Sequence, residues 1–241
     1  MFFRQILHEE KSCLSYIIGC KGCGVAAVID PQGDPSSYLS ILSKNGLKLT
    51  HVIETHVQAD HVSSAAELAR LSGATACFGQ GAQVNFPHQE LKERDTITIG
   101  NRRISILHTP GHTAEHICLY VDNWFVLTGD TLFVGDAGRV DLTLNNPSND
   151  DTVTRAHKLY ASLQKLLQLP EWTEIYPGHY AGSTCGKGMD GKPVSTIGRE
   201  RKKNKALQLS EEEFIKHITQ NLPPPPEDFQ AIKRKNMANH G

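Results

Sequence analysis

Nothing in this chain of 241 residues approaches the run of about eighteen apolar residues that a membrane-crossing helix requires. Charge of one sign is also missing. The 25 Lys and Arg stand against 26 Asp and Glu, a net charge of −1, which removes the electrostatic basis for binding nucleic acid or another polyanion. The opening stretch, MFFRQILHEEKSC, is apolar for too few residues, and too soon charged, to read as a secretion signal. The six cysteines (Cys13, Cys20, Cys23, Cys77, Cys118 and Cys185) follow no regular spacing, which argues for thiols rather than a disulfide framework. No internal repeat and no linker divides the chain. These absences lead us to expect a soluble, cytoplasmic protein of one domain over residues 1–241, with neither nucleic acid nor membrane among its partners and a length ample for a real core.

What the chain does contain is short β-type runs, each ended by a polar or glycine turn. LSYIIG (14–19) and VAAVID (25–30) flank CKGCG and read as a hairpin. Residues 35–45 read as a helix stopped by Gly46, and LTHVIE (49–54) as a strand. A helix is expected over 61–71 with Asp60 as its cap. Strands follow at ATACF, TITIG, RRISILH, HICLYV and WFVLTG, then a long amphipathic helix over 150–169 and a short strand, EIYP. Residues 180–201 read as a loop rich in Gly, Ser and Lys. C-terminal helices are expected from about residue 205, with the prolines at 223–226 as a rigid corner and a basic tail beyond. Sheets covered by helices, in an α/β or α+β arrangement, fit this order.

Twelve histidines are present, and several sit beside Gly, Asp or Thr. Five polar clusters fall directly after predicted strands: Asp30, the segment His56-Val57-Gln58-Ala59-Asp60-His61, His112 in TPGHT, Asp130 in TGDTLF, and His179 in YPGH. Strand ends in a layered protein share one rim, where loops hold ligands. Imidazole and carboxylate together are the usual ligands of zinc, iron or manganese. Each of these residues alone would be an ordinary loop residue; five in order point to a metal site.

These segments resemble the metallo-β-lactamase superfamily, whose signature is H-x-H-x-D-H followed by separated His, Asp and His. The resemblance runs from VIDP (28–31) to PGH (177–179) and implies an αββα sandwich with a metal site at one edge between two sheets. Hydrolytic branches hold two metals, which here would call on His56, position 58 and His112 for one, Asp60, His61 and His179 for the other, with Asp130 bridging. Position 58 is Gln, a neutral and weaker donor. Without it, His56, His112 and Asp130 remain, two imidazoles and a carboxylate, the facial set of non-haem Fe(II) oxygenases. The superfamily's persulfide dioxygenase branch, similar to glyoxalase II, uses these three positions. GDTLFVGDAGRVDL (129–142) and the long loop over 176–204 resemble that branch.

The resemblance therefore implies a mononuclear Fe(II) persulfide dioxygenase, acting with O2 on glutathione persulfide or a similar small-thiol persulfide to give sulfite and thiol. Zinc is the alternative metal, and a glyoxalase II-like hydroxyacylglutathione hydrolase the alternative enzyme. A decayed, non-catalytic binder is a third class, opposed by the intact triad. Gln58, Asp60, His61 and His179 would orient ligands or water, or hold a second metal. Arg139 pairs with Asp141 to brace its loop or meets the substrate; Tyr180 is a candidate for the pocket wall. Cys185 is either a thiol beside the metal or an unreactive loop residue. Lys187, Lys192 and Arg199 offer positive charge to a carboxylate of the thiol carrier. Cys20-x-x-Cys23, with no second such pair, reads as a tight turn carrying two thiols, and His116 alone among the remaining histidines is a candidate to line the pocket. The sequence is compatible with a homodimer.

Overall fold

The computed structural model describes residues 1–144, 149–180, 185, 186, 188–220, 222 and 224–238. Lys187, Pro223 and His240 lie outside the described residues. Two six-stranded sheets stand face to face. The first runs in the order β1 (Phe2–His8), β2 (Cys13–Cys20), β3 (Val25–Ile29), β4 (Lys48–Ile53), β5 (Thr75–Gly79) and β6 (Gln89–Leu91). The second runs β12 (Ser195–Thr196), β11 (Glu174–Pro177), β10 (Phe125–Gly129), β9 (Ile117–Val121), β8 (Arg102–His108) and β7 (Thr96–Ile99).

Strands such as VAAVI read as unbroken apolar runs because both of their faces are covered. Ala27 and Ile29 point between the sheets, where they meet Ile104, Ile106 and Leu119 of the second sheet. Ala26 and Val28 point outward and are covered by Tyr38 and Leu42 of α1 (Pro35–Lys44) and by Ala65 and Leu68 of α2 (Ala65–Ser72). On the far side Val126 and Ile175 are covered by Leu159 and Leu163 of α3 (Asn149–Leu166) and by Phe214 of α5 (Glu211–Thr219). The result is the expected helix–sheet–sheet–helix sandwich. Three further elements complete it: α4 (Ile197–Lys203), a 3-10 turn (Ala206–Gln208) and α6 (Phe229–Met237).

β3, β4 and β5 are parallel, as are β10 and β11. Parallel neighbours need a crossover, here α1, α2 and α3. The carboxyl ends of these strands therefore open onto one rim. At that rim the sheets also touch: Leu14 N–H donates to Gly178 O at 2.8 Å and the Tyr16 hydroxyl to Pro177 O at 2.5 Å.

Two readings of the sequence change, and one element was not anticipated. The N-terminal arm is an edge strand, paired with β2 from Phe2↔Gly19 to His8↔Cys13. The stretch taken as a loop over 180–201 contains the start of α4, whose N-cap Thr196 accepts from Arg199 N–H at 3.2 Å. And α2 begins at Ala65, where the Ser63 hydroxyl, not Asp60, takes the first-turn N–H at 2.9 Å. Asp60 is withdrawn from capping because its carboxylate is occupied by two histidines, described below.

His8 closes β1 with a pH-dependent contact. The Ser15 hydroxyl donates to Asp30 O at 2.6 Å, so it accepts the N–H of His8 Nε2 at 2.9 Å. Burial, aided by His61, lowers the His8 pKa to about 4. The fold excludes the proton, so the contribution is full above the unfolded value near 6.5 and lost as pH falls toward 4. Chemical denaturation across that window will show the native protein losing more stability on acidification than His8→Gln, which keeps an N–H donor and cannot titrate. Parallel curves for the two proteins would remove this assignment.

Candidate metal centre

His56 follows β4, His112 follows β8 and Asp130 follows β10. All three are buried, and one ligand atom from each lies within 4.8 Å of the others. The rings of His56 and His112 meet edge to face with centroids 4.8 Å apart. Each of these candidate ligands is held from behind. His112 Nδ1–H donates to Arg139 O at 2.8 Å, leaving the Nε2 lone pair turned inward, 3.6 Å from Asp130 Oδ2. Nδ1 of His56 lies 3.0 Å from the Thr55 hydroxyl, which donates to Asp30 Oδ2 at 2.9 Å. Such outer partners fix the tautomer and aim the ring. Asp130 Oδ1 accepts from His179 Nδ1–H at 2.7 Å, whereas Oδ2 is buried without a partner.

A buried carboxylate oxygen with no donor is costly. A cation between Asp130 Oδ2 and two inward imidazole lone pairs removes that cost. Burial lowers the pKa of both His56 and His112, Asp130 opposing it, which keeps the rings neutral as ligands must be. The residues thus fit a metal with three protein ligands and open positions.

The backbone makes room for this approach. Gly129 has φ +47°, and a Cβ there would stand 2.6 Å from His116 Nε2; a Cβ on Gly178 would stand 2.6 Å from Asp130 Oδ1. These glycines are what allow the carboxylate to be packed between two histidines.

Asp60, His61 and His179 behave differently. His179 uses both ring nitrogens on carboxylates, Nδ1 on Asp130 and Nε2 on Asp60 Oδ2 at 2.9 Å. Burial opposes its charge, yet Asp130 raises its pKa well above the ordinary value, with Asp60 helping. His61 Nδ1 sits 3.2 Å from the same Asp60 oxygen, and Asp60 overcomes burial to lift His61 to about 10. Asp60 groups with Cys13 and His61 on one side and with His179 and Cys185 on the other. Among the described residues, no single convergent group holds Asp60, His61 and His179 together.

Gln58 donates from Nε2 to Glu54 Oε2 at 3.3 Å, and its Oε1 is buried without a partner. Arg139 forms a two-pronged pair with Asp141 at 2.7 and 2.8 Å. Tyr180 is half-buried against the core between the sheets. Cys185 is buried beside Asp60 and His179. Lys192 is exposed and faces Asp190 at 3.8 Å; Arg199 forks onto Asp190 and Glu200 at 2.5 and 2.8 Å.

A cleft of about 560 Å³ opens at Val57 and Gly111, the chain neighbours of His56 and His112, and its lining includes Glu115, Arg155, Lys158 and Lys233. Its cations differ from those the sequence suggested. Arg155 donates to Gly111 O and His112 O, and its Nη1 is buried without a partner. Lys233 comes from α6, in the basic tail. The same helix braces the ligand loop: Asn236 donates to Gln58 O at 2.9 Å and His61 O at 2.8 Å, and accepts from Ser63 N–H at 2.9 Å. Sequence reading also passed over the backing role of His116. Its ring stacks on His56 at 5.1 Å and accepts at Nε2 from Asp130 N–H at 3.0 Å.

A match to the metallo-beta-lactamase superfamily covers residues 8–179. The chain belongs to that superfamily. Among superfamily relatives it is 33% identical to the mitochondrial persulfide dioxygenase ETHE1 of Mus musculus, over 98% of this chain and 88% of the relative. It is 35% identical to a hydroxyacylglutathione hydrolase of Methylobacillus flagellatus, over 65% of this chain and 58% of that relative's length. The crystal structure of ETHE1 from Myxococcus xanthus superposes with a TM-score of 0.85 at 32% identity, covering 98% of both chains. The two enzyme classes thus stand equally near in sequence. Among the described residues, no helix of this superfamily member is long and apolar enough to cross a membrane.

Proposed function

We propose that this protein is a mononuclear non-haem iron persulfide dioxygenase that takes glutathione persulfide, or a similar small-thiol persulfide, and O2 to sulfite and thiol. The observation that carries the reading is the division of labour among the polar residues. His56, His112 and Asp130 converge with one carboxylate oxygen left over, while His179 spends both ring nitrogens on carboxylates. Two imidazoles and one carboxylate with open positions suit ferrous iron. Held there, the iron would supply coordination positions for a thiolate-like sulfur and O2, and the redox chemistry between them.

The chain's own residues position these partners. The Arg139 carbonyl and the Thr55–Asp30 pair lock the two imidazoles. The His179 imidazolium, bonded to Oδ1, leaves Asp130 Oδ2 as the oxygen offered to the metal. In the cleft, the side chains of Arg155 and Lys233 place positive charge in the lining, available to a carboxylate of the thiol carrier. Burial lowers the Lys233 pKa, Glu115 opposing it. An anionic ligand there would relieve that burial cost.

A hydroxyacylglutathione hydrolase is the second reading, favoured by the 35% identity to the Methylobacillus enzyme. It would enlist Asp60, His61 and His179 to hold a second metal, and the metal pair would supply activation of water for thioester hydrolysis. The experiment that separates the two loads the protein anaerobically with iron and measures O2 consumption on adding glutathione persulfide, with a zinc-loaded sample as control. The expected result is O2 uptake with sulfite release in the iron form alone. No uptake at full iron occupancy, with hydrolysis of a hydroxyacylglutathione thioester, would overturn it.

A further inference from the structure

The pair Cys20-x-x-Cys23 lies away from the metal centre. Cys20 ends β2 and Cys23 stands in the turn that starts β3, whereas the metal ligands follow the carboxyl ends of their strands. Cys23 N–H donates to Cys20 O at 3.1 Å and Gly24 N–H donates to the same carbonyl at 2.9 Å. A turn closed this way brings its end Cα atoms within about 7 Å, the span a disulfide can bridge.

Both side chains lie over Gly100 in the β7–β8 turn of the opposite sheet. A Cβ at Gly100 would stand 2.7 Å from Cys23 Cβ, 2.8 Å from Cys20 Cβ and 2.9 Å from Cys23 Sγ. Only glycine leaves space there for two sulfurs side by side. Both residues are thiols, Cys23 exposed and Cys20 nearly covered.

We propose that Cys20 and Cys23 form a dithiol–disulfide couple that exchanges with disulfides of low-molecular-weight thiols, at a site separate from the metal centre. The Cys23 sulfur, the accessible one, attacks one sulfur of R–S–S–R. That S–S bond breaks, a Cys23–S–S–R bond forms, and one RS⁻ leaves and takes up the proton that the pair gives up. The Cys20 thiolate then attacks Cys23 Sγ, closing the Cys20–Cys23 bridge and expelling the second RS⁻. Two protein thiols are oxidised by two electrons, and one small disulfide is reduced to two thiols.

Access sets this order, since Cys23 is exposed and Cys20 covered; the Cys20 thiolate beside it acts as the base that takes the Cys23 proton and passes it to the departing RS⁻. The Asn101 backbone N–H, then the Cys23 thiol, lower the Cys20 pKa to about 7; the hydrogen bond to Cys20 raises that of Cys23. Arg102 lowers both. A thiol near neutrality serves well as the resolving sulfur. By contrast, burial pushes Cys77 and Cys118 up to about 12, so these stay inert.

The test treats the metal-loaded full chain with glutathione disulfide near neutral pH under anaerobic conditions, quenches with acid, alkylates and maps the peptides. A Cys20–Cys23 bridge with Cys77 and Cys118 unbridged is expected, reversed by reduced glutathione in excess. Cys20→Ser is expected to stop at one glutathionyl group on Cys23, and to leave O2 uptake with persulfide unchanged within twofold. Full alkylation of both thiols after exposure, or failure of Cys20→Ser to trap the adduct, would overturn the proposal. Because the readout is a bond in this turn, it stands whichever reaction the metal centre performs.

Discussion

Asp130→Ala will strip the metal from the centre, cut turnover at least about 1,000-fold and destabilise the apo fold by about 1–3 kcal/mol, the cost of leaving the buried His179 Nδ1–H without a partner while Asp60 still holds Nε2. The stability loss follows from His179, whose imidazolium gives Nδ1–H to Asp130 Oδ1 at 2.7 Å. His112→Ala provides the contrast. It removes a neutral ring and one hydrogen bond to Arg139 O, so metal and turnover go while the buried ion pair remains. Metal analysis and urea denaturation of both apo proteins decide the matter. Equal stability losses would show that the His179–Asp130 pair carries no charge.

Asn236→Ala will weaken metal binding about 10–100-fold without touching a ligand, the size of effect seen when outer partners of a metal site are lost. Three backbone groups of the ligand loop, Gln58 O, His61 O and Ser63 N–H, depend on this one amide. Removing it leaves polar groups unsatisfied at about 1–3 kcal/mol each and lets the loop between His56 and α2 drift. Competition against a chelator of known affinity measures the change. Wild-type affinity in the variant would mean that the loop is set by β4 and α2 alone.

The polar clusters at the strand ends were legible because their signals are local, whereas the αββα sandwich and the choice of three candidate ligands came from the resemblance to the superfamily. Strand ends, a flanking glycine and a polar residue recur at His112, Asp130 and His179, and no long-range information is needed to see them. β1 hid because its alternation is imperfect. Phe3 faces the space between the sheets and Phe2 and Ile6 the outer side, but Arg4, Gln5 and the charges after His8 blur the pattern. α4, with the sequence IGRERKK, has no apolar stripe; its cap at Thr196 and the buried Glu200 carboxylate, which accepts from the Ser195 hydroxyl at 2.5 Å, hold it.

His116 was visible as a histidine but not as the support of His56, since that role depends on stacking between two sheets. Asn236 had no local signal at all. Its partners lie more than 170 residues earlier in the chain, and only packing of α6 across the rim unites them. The cleft cations Arg155 and Lys233 were missed for the same reason, their approach to Gly111 and Leu142 being set by tertiary structure.

The distribution of ligands over the two sheets bears on how the cation is acquired. His56 comes from the first sheet, and His112 and Asp130 from the second, so neither half presents a finished site. During synthesis His56 emerges well before Asp130, and no complete cage exists until the halves have closed on each other. An ion held by these three residues would be loaded late in the life of the chain, and cellular supply at that moment would weigh heavily in which ion is seated, since similar donor sets accept several divalent metals. Once seated, such an ion would rivet one sheet to the other. Its removal would loosen the seam between the halves rather than a single loop.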